Sequence, residues 1–215
     1  MKKLLIASAL LASCGTEQTS DLDIVGGQRA PYKRYFARVG GCGSALIHPK
    51  FLVSASHCGN PSKATIGFWK KGPGNGGKPK EEINIVEVIK HPSRDLQLLK
   101  LERRSKFRPV PLYRDGLITG DRLAVFGFGN TEYKGSSPEY LQGAVFSYTG
   151  DGAREGIIRA NNRPYQAVCH GDSGSPVIFR GELVATVTFT EGRCSVKGSM
   201  GFTRLDLEWI RQHIK

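Results

Sequence analysis

Apolar and polar residues along this chain fall into short runs that do not repeat at helical spacing. They occupy Ser44–Ile47, Phe51–Ser54, Ala64–Phe68, Ile83–Ile89 and Leu96–Leu101, then Arg122–Phe128, Tyr140–Ser147, Pro176–Phe179, Leu183–Phe189 and Gly198–Leu205. Turn signals separate them, which predicts many short strands in barrels or a sandwich. The Pro/Arg-rich stretch Arg103–Pro111 lies between the two sets and reads as a link between two lobes. Helical spacing appears at the end of the chain. Leu207, Ile210 and Ile214 follow Asp206, a candidate cap, so a terminal helix is expected over Asp206–Lys215. No period of roughly 20–50 residues recurs, which excludes a solenoid.

The 215 residues, 39% hydrophobic and 23% charged, describe a soluble globular chain with one large domain or two small lobes. The 27 glycines fit tight turns better than helices. The net charge is +12, and it belongs to the body of the chain, because Lys2 and Lys3 are outweighed by Glu17, Asp21 and Asp23 at the amino end. Such a balance can serve nucleic acid, anionic membranes or acidic substrates. No nucleic-acid motif accompanies it, and the basic residues are scattered apart from Lys70–Lys80, an exposed-loop pattern of Gly, Pro and Lys. A solvated surface with no nucleic-acid partner is therefore expected.

Met1-Lys2-Lys3, the apolar Leu4–Leu11 and the small Ala12-Ser13 have the layout of an export signal, too short for a permanent membrane span. Leu11-Ala12-Ser13-Cys14 matches a bacterial lipoprotein box, in which the cysteine is lipidated. Of the five cysteines, Cys14 is the odd one. Residues 15–23 read as a polar linker, and ordered structure is expected from Ile24. The predicted organisation is a signal peptide (1–13), a linker or propeptide (14–23) and a folded unit (24–215), the last divided at 24–110, 111–205 and 206–215.

The chemistry centres on Gly171-Asp172-Ser173-Gly174-Ser175-Pro176. Glycines around a serine allow a sharp turn that projects the hydroxyl and gathers amide N–H groups beside it. A serine nucleophile needs a base and a group to orient that base. Val53-Ser54-Ala55-Ser56-His57-Cys58 offers a histidine at a strand end, and Asp95 stands at the mouth of the apolar run Leu96–Leu99. His91 is a rival base, and Asp115 and Asp121 are rival carboxylates in turn-like contexts.

Five blocks carry a resemblance to the chymotrypsin/trypsin family: Ile24-Val25-Gly26-Gly27, the Cys42–Cys58 segment with His57, the Asp95 segment, Gly127-Phe128-Gly129-Asn130-Thr131, and Cys169–Pro176. They keep the family's order and span Ile24–Lys215. The resemblance implies an all-β fold of two six-stranded antiparallel β-barrels with a C-terminal helix, and serine endopeptidase activity. It implies Ser173 as nucleophile, His57 as base, Asp95 as orienter, and the N–H groups of Gly171 and Ser173 as oxyanion hole. It also implies disulfides Cys42–Cys58 and Cys169–Cys194. Four cysteines could alternatively hold zinc, but no Cys-x-x-Cys spacing is present, and export favours bridges.

The family is made as a zymogen, which here implies cleavage before Ile24, by this or another protease, and an ion pair from the new ammonium to Asp172. Asp23 before the cut disfavours a trypsin-like activator. If Cys14 is lipidated, the cut would also release the enzyme from the membrane, so the expected location is secreted, periplasmic or outer-surface. The expected substrate pocket is Ala167, Val168, His170, Thr188, Phe189, Thr190 and Met200, with Thr188 where the family has a serine that supports the aspartate. No acid sits at the pocket base, so a small aliphatic residue before the scissile bond is expected. A preference for Asp or Glu, read by His170 or Arg193, is the alternative, and a non-catalytic binding protein on the same fold is another. No metal or cofactor is expected, since Lys70–Lys80 is too poor in carboxylates for a calcium loop. A monomer acting on protein or peptide substrates completes the expectation.

Overall fold

The computed structural model describes residues 24–162, 166–190, 194 and 199–214, apart from the side chains of 162, 189 and 190. The export signal, Cys14 and the linker lie outside the described residues, as do Arg193 and Lys215.

The first half forms β2 (Phe36–Val39), β3 (Cys42–His48), β4 (Phe51–Ser54), β5 (Lys63–Ile66), β6 (Glu81–Lys90) and β7 (Gln97–Leu101). They close in the order β2-β3-β4-β7-β6-β5, every neighbour antiparallel, with Ala37 against Ile66 completing the ring. The second half forms β8 (Arg122–Gly127), β9 (Gln142–Asp151), β10 (Ile157–Asn162), β11 (Pro176–Phe179), β12 (Glu182–Thr190) and β13 (Ser199–Arg204). Their order is β9-β10-β13-β12-β11-β8, and β8 returns to β9 to make a second closed six-stranded barrel. Closure removes the sheet edges that would otherwise invite association. The two-residue β1 (Gln28–Arg29), within the stretch assigned by sequence to the first lobe, instead pairs with Gln142 and Gly143 on the outside of the second barrel.

Alternation explains the inward faces. On β9, Ala144, Phe146 and Tyr148 are buried while Gly143, Val145 and Ser147 between them are less so. Leu46, Leu52, Ile66 and Leu99 fill the first barrel, and Leu123, Phe146, Val187 and Phe202 the second. A third cluster joins Val53 and Leu98 of the first barrel to Ile178 and Leu183 of the second, and α1 (Leu207–His213) seals it with Trp209 and Ile210. Asp206 caps α1 by accepting the Trp209 N–H at 3.0 Å, as its position in the sequence predicted. No helix among the described residues is long and apolar enough to cross a membrane.

Three strands were not visible in the hydrophobic pattern: β1, β2 and β10. β10 reads Ile-Ile-Arg-Ala-Asn-Asn, and its polar half is held by pairing with β9 and β13 rather than by apolar burial. The Lys70–Lys80 loop is built around one buried side chain. Asn75 Oδ1 accepts the N–H groups of Trp69 and Lys70 at 2.9 and 3.0 Å, and its Nδ2 donates to the carbonyls of Gly67 and Lys78 at 2.9 and 3.0 Å. Asn75 sits at φ 45°, a left-handed conformation that asparagine tolerates better than most residues. Asn75→Ala should strand these partners and cost about 2–4 kcal/mol, measurable by urea denaturation.

Candidate active site

The register Ser54–Gln97 between β4 and β7 brings the two strand ends together, so the 3₁₀ turn Ser56–Cys58 faces the residue preceding Leu96. His57 Nδ1 lies 2.7 Å from Asp95 Oδ2. The other carboxylate oxygen accepts the His57 backbone N–H at 2.9 Å and the Ser56 hydroxyl at 2.8 Å. The His57 side chain is 45% exposed and that of Asp95 21%, which leaves the ring open to a substrate and shelters the carboxylate. The hydrogen bond that His57 donates to Asp95 raises the His57 pKa above its ordinary value, against partial burial. Burial works to raise the Asp95 pKa, but its hydrogen bonds from His57 and Ser56 outweigh it and hold the carboxyl below the ordinary value.

The serine turn is fixed from behind. Gly43 N donates to the Ser173 carbonyl at 2.8 Å, and Gly174 N to the Val187 carbonyl at 2.8 Å. Gly174 has φ +73°, and a Cβ there would strike Ser54 Oγ, the Gly43 carbonyl and the Ala55 nitrogen. The serine turn thus packs directly on the residues that lead to His57. Gly171 has φ +98°, open to glycine and strained for other residues. Among the described residues, the N–H groups of Gly171 and Ser173 donate to no carbonyl, whereas those of Asp172, Gly174 and Ser175 do. Two unclaimed donors flanking one turn suit a developing oxyanion.

Asp172 is fully buried. Its carboxylate accepts Gly129 N–H at 2.7 Å and Cys169 N–H at 2.9 Å. Burial raises its pKa to about 6, against those two hydrogen bonds. Side chains at Gly127 or Gly129 would collide with this carboxylate, so both glycines are required by its position. Ile24 is also fully buried, and Ala167 N–H donates to the Val25 carbonyl at 3.0 Å. The two disulfides join Cys42 to Cys58 and Cys169 to Cys194, tethering the His57 turn and the serine loop.

Of the residues expected to line the pocket, Ala167, Val168 and Met200 are fully buried in the core cluster that contains Ile24. Thr190 pairs in register with Met200, and Phe189 with Gly201. His170 is exposed beside the Tyr133 ring, 6.0 Å between centroids. Thr188 Oγ1 bonds Thr203 Oγ1 across the strands, so the side-chain hydroxyl that reaches Asp95 belongs to Ser56. Sequence reasoning passed over Ser56, although its place immediately before His57 was the available signal. His91 is turned away from the site. It stacks on Trp209 at 4.8 Å and its Nε2 approaches Asp206 Oδ2 at 3.2 Å. Asp121 accepts the Ile118 N–H in a local turn, and Asp115 is exposed.

The Trypsin family model matches residues 24–210, and the chain belongs to that family. It is 29% identical to anionic trypsin of Canis lupus familiaris over 100% of this chain and 98% of that protein. It is 27% identical to human azurocidin over 96% of this chain and 93% of that one. Two solved structures share the fold: human heparin binding protein (TM-score 0.77, 24% identity, covering 88% of this chain and 96% of that chain) and neuropsin, a serine protease of mouse brain (TM-score 0.80, 20% identity, 88% and 99%).

The hydroxyl geometry around Asp95 makes a direct prediction. Ser56→Ala should raise the Asp95 carboxyl pKa in a carbon-detected NMR titration, while Thr188→Val should leave it unchanged.

Proposed function

We propose that this chain is a serine endopeptidase in which Ser173 is the nucleophile, His57 the general base and then acid, and Asp95 the group that holds the imidazole in one tautomer. The carrying observation is the His57–Asp95 contact at 2.7 Å, on a strand end packed against the serine turn. Ser173 Oγ would attack the scissile carbonyl carbon as His57 Nε2 takes its proton. The oxyanion would lie against the N–H groups of Gly171 and Ser173, each typically worth about 3–4 kcal/mol to the transition state. His57 would return the proton to the leaving amine, and water would release the acyl group by the same path.

A protein or peptide substrate follows from the family. A small aliphatic residue before the scissile bond rests on the sequence, which puts Ala167 and Val168 at the pocket base, Thr190 and Met200 near its walls, and no acid at the base. The leader, the linker and lipidation at Cys14 rest on the sequence, and so does export.

Cleaving a peptide library with the chain beginning at Ile24 tests the activity. Products should end in Ala, Val or Thr, and Ser173→Ala should lose at least about 10⁴-fold in kcat/KM. Products ending in Asp or Glu would favour the acidic pocket, and no cleavage by folded protein would favour a binding protein. Because His57 must be neutral to act and its pKa is raised, kcat/KM should climb with pH through a midpoint above 6.5.

We further propose that cleavage before Ile24 switches the site on. Ile24 and Asp172 are both fully buried, and an ammonium at Ile24 would offset the Asp172 charge. In the uncut chain the Ile24 nitrogen is an amide and cannot do so. The Asp172 pKa, about 6, then exceeds its ordinary value near 4, so the folded form holds its proton more tightly than the unfolded form. Its contribution to stability is full below about pH 4 and is lost as pH rises through about 6. Melting curves should show this loss in the uncut chain and not in its Asp172→Asn variant. In the chain cut before Ile24 the ion pair should lower the Asp172 pKa and abolish or reverse the trend. Identical pH profiles for the cut and uncut chains would contradict the proposal.

A further inference from the structure

Outside the serine site, cationic side chains converge on one pair of aromatic rings. Trp69 and Tyr140 meet edge to face with centroids 5.1 Å apart. The Arg29 guanidinium carbon lies 3.6 Å from the Tyr140 centroid and 4.7 Å from that of Trp69. Lys70 Nζ is 5.2 Å from the Tyr140 ring and Lys78 Nζ 5.9 Å from the Trp69 ring. Three chain segments supply these groups, and backbone hydrogen bonds hold them together. Ala30 N donates to the Leu141 carbonyl, Leu141 N to the Trp69 carbonyl, and Lys71 N to the Glu139 carbonyl, all at 2.7–2.8 Å. Trp69 Nε1 donates to the Ala30 carbonyl at 2.9 Å, and the four hydrogen bonds of Asn75 fix the loop that carries Lys78.

Like charges held this close repel one another, and ring faces offset only part of that cost. One carboxylate answers them. Glu139, whose side chain is 62% exposed, reaches Lys70 Nζ at 3.1 Å. Among the described residues, Arg29 and Lys78 have no carboxylate partner, and no acid occurs from Phe68 to Lys80. Charge of one sign on a fixed support concentrates and orients a partner of opposite sign. The platform also lies next to residues that pack toward the reaction centre. Phe68, adjoining Trp69, packs on Phe128 at 4.9 Å, and Phe128 adjoins Gly129, whose N–H holds Asp172.

We propose that Arg29, Lys70 and Lys78 on the Trp69–Tyr140 pair form a docking site for an acidic peptide segment of a protein substrate, outside the residues that contact the scissile bond. This rests on the endopeptidase reading above. Glu139 supports a carboxylate as the occupant, because its own carboxylate is already seated there against Lys70 Nζ at 3.1 Å. The site would bias the enzyme toward substrates carrying an acidic stretch at a distance from the cut.

Binding separates this proposal from the hydrolytic reading. The full chain carrying Ser173→Ala should bind a synthetic oligoglutamate peptide, read by calorimetry and Trp69 fluorescence, and should not bind oligoglutamine. Combining Arg29→Ala, Lys70→Ala and Lys78→Ala should weaken binding at least about tenfold, and raising salt should do the same. Lys78→Glu alone, at an exposed position, should also weaken it without disturbing the fold. With the unmodified serine, an acidic flank should raise kcat/KM over a glutamine flank, and the triple variant should lose that gain while cleaving the neutral peptide unchanged. Oligoglutamate binding equal in the wild-type and triple-variant proteins would overturn the proposal. So would binding of a sulfated glycan without binding of oligoglutamate. Absence of hydrolysis with oligoglutamate binding intact would sink the endopeptidase reading and still support the acidic docking surface.

Discussion

The buried Asp172 carboxylate is the constraint around which the serine site is arranged. A charge with no water around it is tolerated only where hydrogen bonds or an opposite charge replace the solvent. Here two backbone N–H groups, from Gly129 and Cys169, come from the two loops that must meet if the Ser173 turn is to hold its shape. The carboxylate therefore acts as a strut. It occupies the space in which side chains at 127 and 129 would otherwise stand, and it pins the turn from which the Gly171 and Ser173 N–H groups emerge. Its raised pKa is a measure of how incomplete that compensation is without a further positive charge.

The opposite end of the site is held differently. His57 and Asp95 sit at neighbouring strand ends of the first barrel, and their register follows from hydrophobic pairing along β4 and β7. The second barrel contributes the serine. The two halves are locked by glycine-mediated contact, with Gly43 against Ser175 and Gly174 against Ser54. The proposed catalytic arrangement, spread over two barrels, depends on these side-chain-free contacts, because one extra carbon at either position would push the halves apart. The Cys42–Cys58 bridge adds a covalent tether next to His57.

Electrostatics outside the site follow the same economy of support. The positive charge of the chain looked diffuse in sequence, because Arg29 is far from Lys70 and Lys78 along the chain. Folding pairs their three segments and places the cations over two rings. A surface that composition alone would treat as solvated thus acquires direction, and its connection to Gly129 runs through Phe68 and Phe128.

The sequence by itself determined the all-β class, the terminal helix with its Asp206 cap, and the identity and order of the His, Asp and Ser segments. Those properties are written in local pattern: short apolar runs, glycine-flanked turns and a capping residue next to a helical repeat. It did not disclose β1, β2 or β10, whose hydrogen-bond partners are distant in the chain and whose own residues carry too little alternation. It did not disclose that Ser56 rather than Thr188 reaches Asp95, since the direction of a hydroxyl depends on the bulge near Thr188 and on what lies across the sheet. The tertiary structure alone decided the burial of Asp172, the contact of Gly174 with Ser54, and the gathering of Arg29, Lys70 and Lys78. Each joins residues brought together by barrel closure and barrel–barrel packing, and the energy of a charge or a close contact depends on those neighbours rather than on neighbours in sequence.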